Sequence, residues 1–302
     1  MNKKISFLLP TRDRAHLLKH LIKSIIDTTY DLENVEIIMC MDDDDPQSHL
    51  IDDPRLNIVK LIGTKSTMGE YNTKCLNRST GDIIILLNDD LTLETPGWDR
   101  IISDFALTIP DGIFMAYPND TETRQHMCTF PIMSRKTCEI LSNPYPKEYN
   151  ALYIDQHIFD IFIRLKHLGK SRMFYLDNII FQHNHFVNGD IRPDANYSHK
   201  KRFPDAMTFI SLRYFRQVSA QRLLFAIEGY LLPKLPHPVV CEAPPVNLFE
   251  AFFKYFSVFL QDYGLPISRR FVLFAGFLKF YAAMESGLNF LKRKSYELYG
   301  SR

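Results

Sequence analysis

The chain has no pair of cysteines close enough to form a redox or metal motif. Its five cysteines are odd in number and widely spaced, and no C-x-x-C pair occurs. This pattern argues against a disulfide framework and against a zinc site built on cysteine. It is typical of a protein that folds in a reducing compartment.

Long apolar runs are also missing. A membrane-spanning helix needs about 20 uncharged apolar residues, and the nearest approach, residues 271–284, contains Lys279. The apolar run at 5–9 is shorter than the core of a secretory signal peptide, and the charged segment 11–14 follows it. We therefore expect a cytoplasmic protein.

The sequence has little net charge, +1 over 302 residues, and so lacks the basic surplus typical of nucleic-acid-binding proteins. No nucleic-acid partner is expected. The hydrophobic fraction of 46% and the charged fraction of 24% are typical of a soluble globular protein. The length suits one large domain or two ordinary ones, and we expect a boundary between 1–205 and 206–302.

No glycine-rich phosphate-binding loop follows the first predicted strand. Residues 10–13 contain no glycine, and no G-x-G-x-x-G follows a strand. The first absence argues against a nucleotidyltransferase, and the second excludes a Rossmann dehydrogenase.

What the sequence does contain is a regular alternation of apolar strands and amphipathic helices. Apolar segments predict strands at 5–9, 35–41, 57–62, 83–87, 128–134 and 174–181. Helical spacing predicts helices at 14–26, 70–77, 98–107 and 154–168, the last ending near Gly169. Unbroken apolar strands alternating with helices predict an α/β fold with a mostly parallel sheet flanked by helices.

Polar residues follow three of these strands directly, at 11–13, 42–45 and 88–90. In open α/β sheets, ligands bind outside the carboxyl ends of the strands. We therefore interpret this edge as a binding site, with Asp42 and Asp43 functional and with Asp44 and Asp45 as a charged turn.

Asn88, Asp89 and Asp90 are the most informative of these residues. Carboxylates at the end of a buried strand can hold a divalent cation that also binds the phosphates of a nucleotide. The alternative is a solvated turn. Taken alone, the position of Asp155 near a helix start indicates a helix cap. A lone histidine such as His183 at the end of a strand indicates a structural role. Beside the acidic edge, His183 or His185 can complete a metal site.

In this order, the segments resemble those of family 2 glycosyltransferases, which have the GT-A fold. The resemblance covers about residues 4–190 and rests on an ordered series of short segments rather than on any one of them. The segments that carry the resemblance are residues 7–14 before an amphipathic helix, residues 42–43, residues 68–70, the Gly-Asp-strand-DxD block at 81–90, Thr95-Pro96-Gly97-Trp98, Ile154-Asp155 with Arg164 and Gly169, and His183.

The resemblance implies a role for each matching position. Asp155 is the general base, and Asp90 with His183 binds Mn²⁺ or Mg²⁺. The residues implied to bind a nucleotide-sugar donor, expected to be a UDP-sugar, are Pro10, Thr11, Arg12, Asp42, Asp43, Gly69, Asn88, Asp89 and Lys200. The run 200–202 can approach the diphosphate from a loop at 188–202, or can simply be a solvated basic run. The implied reaction inverts the anomeric carbon and transfers the sugar to a glycan or a lipid-linked acceptor.

The sequence departs from the family pattern at three places. Asn88 stands at the first position of the DxD motif, Asp-Asp-Asp-Pro replaces the usual Asp-Gly-Ser turn, and Asp155 is a single acid where a pair is common. A catalytically silent partner subunit that binds a nucleotide or a carbohydrate therefore remains the alternative.

The last third of the chain is predicted to be helical and rich in phenylalanine. We expect helices at 206–232, 248–263 and 269–290, with a proline-rich break at 233–245. The aromatic stripe along 249–263 predicts a core or a homo-oligomer interface. From residue 246 onward, eight Lys and Arg face four Asp and Glu, which allows peripheral contact with a membrane surface instead.

Overall fold

The computed structural model describes residues 3–184 and 202–285. Eight strands and ten α-helices occupy these ranges. The strands are β1 (Ile5–Thr11), β2 (Val35–Asp42), β3 (Asn57–Gly63), β4 (Ile83–Leu86), β5 (Leu91–Leu93), β6 (Met115–Asn119), β7 (Ile132–Ser134) and β8 (Met173–His183). The helices are α1 (Ala15–Thr28), α2 (Pro46–His49), α3 (Met68–Arg78), α4 (Trp98–Leu107), α5 (Arg135–Leu141), α6 (Ile154–His167), α7 (Arg202–Ser211), α8 (Arg213–Glu228), α9 (Leu248–Tyr255) and α10 (Ile267–Glu285).

The first four strands along β3-β2-β1-β4 are parallel, as the apolar runs predict. Leu8 of β1 lies between Ile38 of β2 and Leu86 of β4. Because these strands are in register, the residues that follow them meet at one edge of the sheet. The α/β fold class is confirmed.

The other half of the sheet is mixed rather than parallel. β7 is antiparallel to both β4 and β6, β8 is parallel to β6, and β5 is antiparallel to β8. The sequence did not predict β5 or β6, because three- and five-residue strands carry little periodic signal. The strand expected at 128–134 shortens to β7, since Pro131 lacks the N–H that a ladder needs.

Side chains alternate between two cores on opposite faces of the sheet. Phe7 points to one face, where it contacts Trp98 of α4 with ring centroids 5.1 Å apart. Leu8 points to the other, where helix α6 packs. This second core also contains Leu223 of α8 and Phe277 of α10, so the C-terminal helices share the core of the sheet domain.

The predicted helix at 206–232 is two helices, α7 and α8, that meet at Leu212. The proline-rich stretch has no regular structure, as expected. A π-helical turn, Phe256–Leu260, follows α9, so the predicted helix at 248–263 is not continuous. The proposed boundary between 205 and 206 stays a prediction.

Buried charges join α6 to the C-terminal helices. Arg164 of α6 binds both oxygens of Asp262, at 3.0 and 2.6 Å, and its Nε donates to Asp160 at 2.7 Å. Asp160 accepts a second bond of 2.7 Å from Arg216 of α8. Asp160, Arg164, Arg216 and Asp262 are all almost completely buried, so each charge depends on its partners.

Gly169 ends α6 as predicted. Its φ of +91° lies in the left-handed region, which an L side chain rarely adopts. The chain can therefore leave the helix here and turn towards β8.

Candidate functional site

The ends of β1 and β4 bring Thr11 against Asp89. Thr11 and Asp89 each lie three residues beyond the pair formed by Leu8 and Leu86, and Thr11 Oγ1 donates to Asp89 Oδ2 at 2.7 Å. Arg14, before α1, donates to the other oxygen at 2.8 Å. Burial raises the pKa of Asp89, although Arg14 and Thr11 favour its charged form. The carboxylate is thus held in one orientation at the strand edge.

The end of β2 presents a second fixed carboxylate. Asp42 is buried and accepts hydrogen bonds from Arg12 and from the hydroxyl of Tyr71 on α3. The backbone N–H of Ser66 donates to the same Tyr71 hydroxyl at 2.6 Å. Burial and the adjacent Asp42 raise the pKa of Tyr71, so the phenol stays protonated as a donor. Asp42 therefore fixes the side chains of Arg12 and Tyr71 at this edge of the sheet.

Strand pairing also explains why Asp90 meets His183. Leu91 of β5 pairs with His183 of β8, and the N–H of Asn184 donates to the carbonyl of Asp90 at 2.9 Å. Asp90 Oδ1 consequently lies 3.3 Å from His183 Nε2. Burial opposes a charge on His183, but Asp90 outweighs it and raises the imidazole pKa. Strand pairing thus places a carboxylate oxygen of Asp90 beside an imidazole nitrogen of His183, although the two residues are far apart in the sequence.

Asp155 lies in the first turn of α6. Its Oδ1 accepts the N–H of Gln156 at 2.7 Å. The residue is half-buried. Loss of water around the carboxylate raises its pKa to about 6, although that hydrogen bond and His183 act to lower the pKa. A carboxylate with a pKa this close to neutral is suited to general-base work.

These elements surround a cleft of about 560 Å³. That volume lies in the range of small-molecule sites. Seven residues predicted from the sequence line it: Pro10, Thr11, Arg12, Asp42, Asn88, Asp89 and Asp155. Asn88 is exposed within the cleft, whereas Asp89 is buried at its wall. The structure therefore brings the strand-end residues and the predicted base together around one space.

Other predicted site residues lie elsewhere. Asp43 is exposed and is outside the lining of the cleft, as is Gly69. Gly69 is packed so closely that a Cβ there would lie 2.0 Å from the carbonyl oxygen of Pro146, so its position has a structural explanation. Asp90 and His183 are buried beside the lining residues. Lys200 and His185 lie outside the described residues.

Sequence reasoning missed several lining residues, among them Arg14, Tyr71 and the segment 150–153. Arg14 belongs to the opening motif and Tyr71 follows Gly69 on α3, so their segments were recognised although their roles were not. Nothing in the local sequence indicates the segment 150–153, because its place depends on contacts with α3 and α7.

Asp44 and Asp45 behave as the predicted charged turn. Asp45 caps α2 by accepting the N–H of Ser48 at 3.3 Å and also accepts the N–H of Asp13 at 2.8 Å. Asp44 is exposed and pairs with Arg12 at 3.0 Å.

A solved structure shares this arrangement of strands and helices. S. aureus TarS superposes with a TM-score of 0.53 at 12% identity, over 97% of this chain and 55% of TarS. The fold is that of the GT-A glycosyltransferases. The mannosyltransferase PcManGT from Pyrobaculum calidifontis, solved with GDP-Man and Mn²⁺, gives a TM-score of 0.49 at 14% identity, over 100% of this chain and 84% of PcManGT. No protein-family model matches the chain, and neither does any curated protein sequence.

The chain spans about half the length of TarS. Within residues 3–184 and 202–285, no helix is both long enough and apolar enough to cross a bilayer.

Proposed function

We propose that this protein is an inverting glycosyltransferase that moves a sugar from a nucleotide-sugar donor, a UDP-sugar, to a glycan or lipid-linked acceptor. The observation that carries the proposal is the shared cleft. A carboxylate with a raised pKa, Asp155, borders the same space as the polar strand ends that follow β1, β2 and β4. Such an edge is where α/β folds bind nucleotides.

Each side of the cleft has a distinct task in this proposal. The side chains of Thr11 and Arg12 at the end of β1, with Tyr71 of α3, contact the nucleotide. Asp155 takes the proton from the acceptor hydroxyl as its oxygen forms a bond to the anomeric carbon. The bond from that carbon to the diphosphate oxygen breaks on the opposite face, so the configuration inverts. A positioned base of this kind contributes about 10²–10⁴-fold to the rate.

A divalent cation fits the pair formed by Asp90 and His183 only if other ligands complete its shell. Among the described residues, no group of three or more His, Cys, Asp or Glu side chains is arranged to hold a metal. Cations of this class are commonly held by one or two carboxylates together with substrate phosphates and water. The imidazole nitrogen favours Mn²⁺ over the strictly oxygen-preferring Mg²⁺. When bound, the cation would neutralise charge on the leaving diphosphate.

Replacing Asp90 with Asn is expected to weaken Mn²⁺ binding more than about 10-fold in the presence of a nucleoside diphosphate, because the pair loses its charged ligand. Electron paramagnetic resonance of free Mn²⁺ measures this directly. Asp43→Asn is the matched control, since Asp43 is exposed at the same end of the sheet. Equal Mn²⁺ affinity in the two variants would remove Asp90 from the metal site.

A thermal-shift panel tests the donor side of the proposal. Nucleotides and nucleotide sugars are added with Mn²⁺, with Mg²⁺ or with EDTA. A ligand at 100 times its Kd stabilises the native state by about 2.7 kcal/mol, which corresponds to a shift of roughly 5 °C for a chain of this size. A metal-dependent shift within one nucleotide family supports the proposal. No shift with any nucleotide counts against it.

The alternative function is a silent binding subunit on the same fold. The observation that favours it is Asn88, which stands exposed in the cleft where the motif usually has a carboxylate. Such a protein would bind a nucleotide or a carbohydrate without turnover, and removal of Asp155 would change nothing.

The aromatic stripe of the C-terminal region is largely exposed. Phe249, Phe252, Phe253 and Phe256, which we call the aromatic face, are 75%, 41%, 54% and 41% exposed, whereas Phe259 is buried. The stripe is thus not core, apart from Phe259. We propose that the aromatic face meets either a second copy of the chain or a membrane surface, since exposed apolar patches mark contacts.

The double substitution Phe249→Ser and Phe253→Ser is expected to abolish whichever association the wild-type protein shows. Sedimentation velocity measures dimerisation, and co-sedimentation with anionic vesicles at low salt measures membrane contact. The exposed Leu107→Ser on α4 is the control. A wild-type protein that is monomeric and does not bind the vesicles would refute both forms of this proposal.

A further inference from the structure

A carboxylate from helix α7 is bonded to the backbone that leads into the cleft. Asp205 is completely buried. One of its oxygens accepts the N–H of Asn150 at 2.8 Å and the side-chain amide of the same residue at 3.1 Å. The other accepts the N–H groups of Ala151 at 2.9 Å and Leu152 at 2.8 Å. Three consecutive backbone donors therefore converge on this one side chain.

The segment so held lines the cleft and ends directly before α6. Asn150, Ala151 and Leu152 border the cleft, and Asp155 follows three residues after the last of them. No regular hydrogen-bond ladder fixes this segment, because it lies outside any helix or strand. The bonds to Asp205 take the place of such a ladder.

Tyr153 connects this segment to the helix in a conformation that needs support. Its φ of +71° lies in the left-handed region, which is sparsely populated by residues other than glycine. Its ring contacts Phe209 of α7 and Phe277 of α10, with centroids 5.6 and 5.9 Å apart. Its carbonyl accepts the N–H of His157 at 2.8 Å, in the first turn of α6. The C-terminal helices thus brace the start of the helix that carries Asp155.

The same segment also touches the donor side of the cleft. The N–H of Met68 donates to the carbonyl of Asn150 at 3.0 Å, and the N–H of Gly69 donates to that of Tyr149 at 3.1 Å. Met68 begins α3, the helix whose Tyr71 binds Asp42. The segment therefore lies between the nucleotide-binding edge and Asp155.

We propose that Asp205 is a positioning residue, which sets the place of the Asp155 carboxylate by fixing the backbone of residues 150–152. The inference rests on the proposed function of Asp155. Asp205 acts only through this backbone and is not itself a base. A misplacement of about 1 Å at a reacting group can cost about 100-fold in rate. The hydrogen bonds from residues 150–152 to Asp205 are therefore expected to affect the rate of turnover.

The decisive variant is Asp205→Asn, which keeps the size of the side chain. It replaces one acceptor oxygen with an amide that faces N–H donors, so at least one pair of bonds is lost. Glu36→Gln is the matched control. Glu36 is also a buried carboxylate with several donors, Ser6 Oγ at 2.6 Å and Thr80 N at 2.5 Å among them, but it lies near the start of β2, at the far end of the sheet.

In Asp205→Asn, kcat is expected to fall about 10- to 100-fold. The acidic limb of the pH–rate profile, expected near pH 6 in the wild-type protein, is expected to move to lower pH. The limb moves because a loosened segment admits water to Asp155, which stabilises its charged form. His183 and the N–H of Gln156 also act on Asp155, and both are unchanged in the variant. Glu36→Gln is expected to leave the limb in place. An unmoved limb in Asp205→Asn, or an equal fall in kcat in both variants, overturns the proposal.

Two measurements that need no turnover separate this proposal from the proposed function. Hydrogen exchange of the amides of residues 150–152 is expected to accelerate at least 10-fold in Asp205→Asn and to remain unchanged in Glu36→Gln. Titration of the Asp155 carboxyl by carbon NMR is expected to show a lower pKa only in Asp205→Asn. Unchanged exchange and titration overturn the positioning role. A wild-type protein that transfers no sugar, with both changes present, overturns only the proposed function.

Discussion

Replacing Asp155 with Asn is expected to lower kcat by about 10²–10⁴-fold while leaving nucleotide-sugar binding nearly unchanged. The amide has the shape of the carboxylate but cannot accept the proton of the acceptor hydroxyl. The residues proposed to hold the nucleotide, Thr11, Arg12 and Tyr71, lie at the end of β1 and on α3, so this change does not touch them. Steady-state kinetics gives the loss in kcat, and calorimetric titration of the donor gives its affinity.

The pH dependence of the activity proposed for the wild-type protein provides a second readout for the same residue. Asp155 acts as a base only when ionised, so kcat/KM is expected to rise with pH and to level off above about pH 6. The limb should be absent from the residual activity of Asp155→Asn. Asp43→Asn is the control for a lost surface carboxylate. A variant at position 155 that keeps wild-type turnover would show that the base is another group.

Replacing Asp160 with Asn is expected to destabilise the fold by about 3–5 kcal/mol. Asp160 is completely buried and accepts hydrogen bonds from Arg164 and Arg216. The change therefore removes the negative charge that balances these two buried guanidinium groups. The two arginines hold its pKa far below the usual value. The stabilisation is therefore complete above about pH 4 and is lost as the pH falls through the lowered folded-state pKa. Urea denaturation at neutral pH measures the change in the free energy of unfolding.

Asp53→Asn is the matched control for this stability prediction. Asp53 also forms two hydrogen bonds with an arginine, Arg55, at 2.9 and 2.8 Å, but that guanidinium is exposed to solvent. Exposed pairs contribute little, so the urea midpoint should scarcely move. Similar midpoints for the two variants would contradict the role given to the buried charges.

The parallel half of the sheet follows directly from local sequence. Four apolar runs alternate with helices, so their parallel order and the polar strand ends of Thr11, Asp42 and Asn88 were predictable. The other half was not. β5 has three residues and takes its place only by pairing with β8, ninety residues later. Its existence depends on tertiary contacts rather than on any periodic pattern.

The candidate site likewise contains residues that local sequence predicts and residues that only tertiary contacts reveal. Some residues of the recognised motifs, Asp89 and Asp155 among them, border the cleft, whereas Asp43 and Gly69 do not. Tyr71 and Asp205 were missed, because their importance lies in bonds to Asp42 and to the segment 150–152, which local sequence does not encode. The aromatic stripe shows a further limit, since helical spacing predicts that these side chains share a face and does not predict what covers it.

In the proposed function, this cleft transfers a sugar from a nucleotide-sugar donor to an acceptor. The most direct test incubates the wild-type protein and Asp155→Asn with the nucleotide sugar that gives the largest thermal shift and with a panel of glycan and lipid-linked acceptors. Mass spectrometry then quantifies the nucleoside diphosphate and the glycosylated product. The proposed mechanism predicts equal amounts of both from the wild-type protein, with inverted linkage, and at least 100-fold less from Asp155→Asn. Donor binding with no product above the level of Asp155→Asn would contradict it and would favour the silent binding subunit.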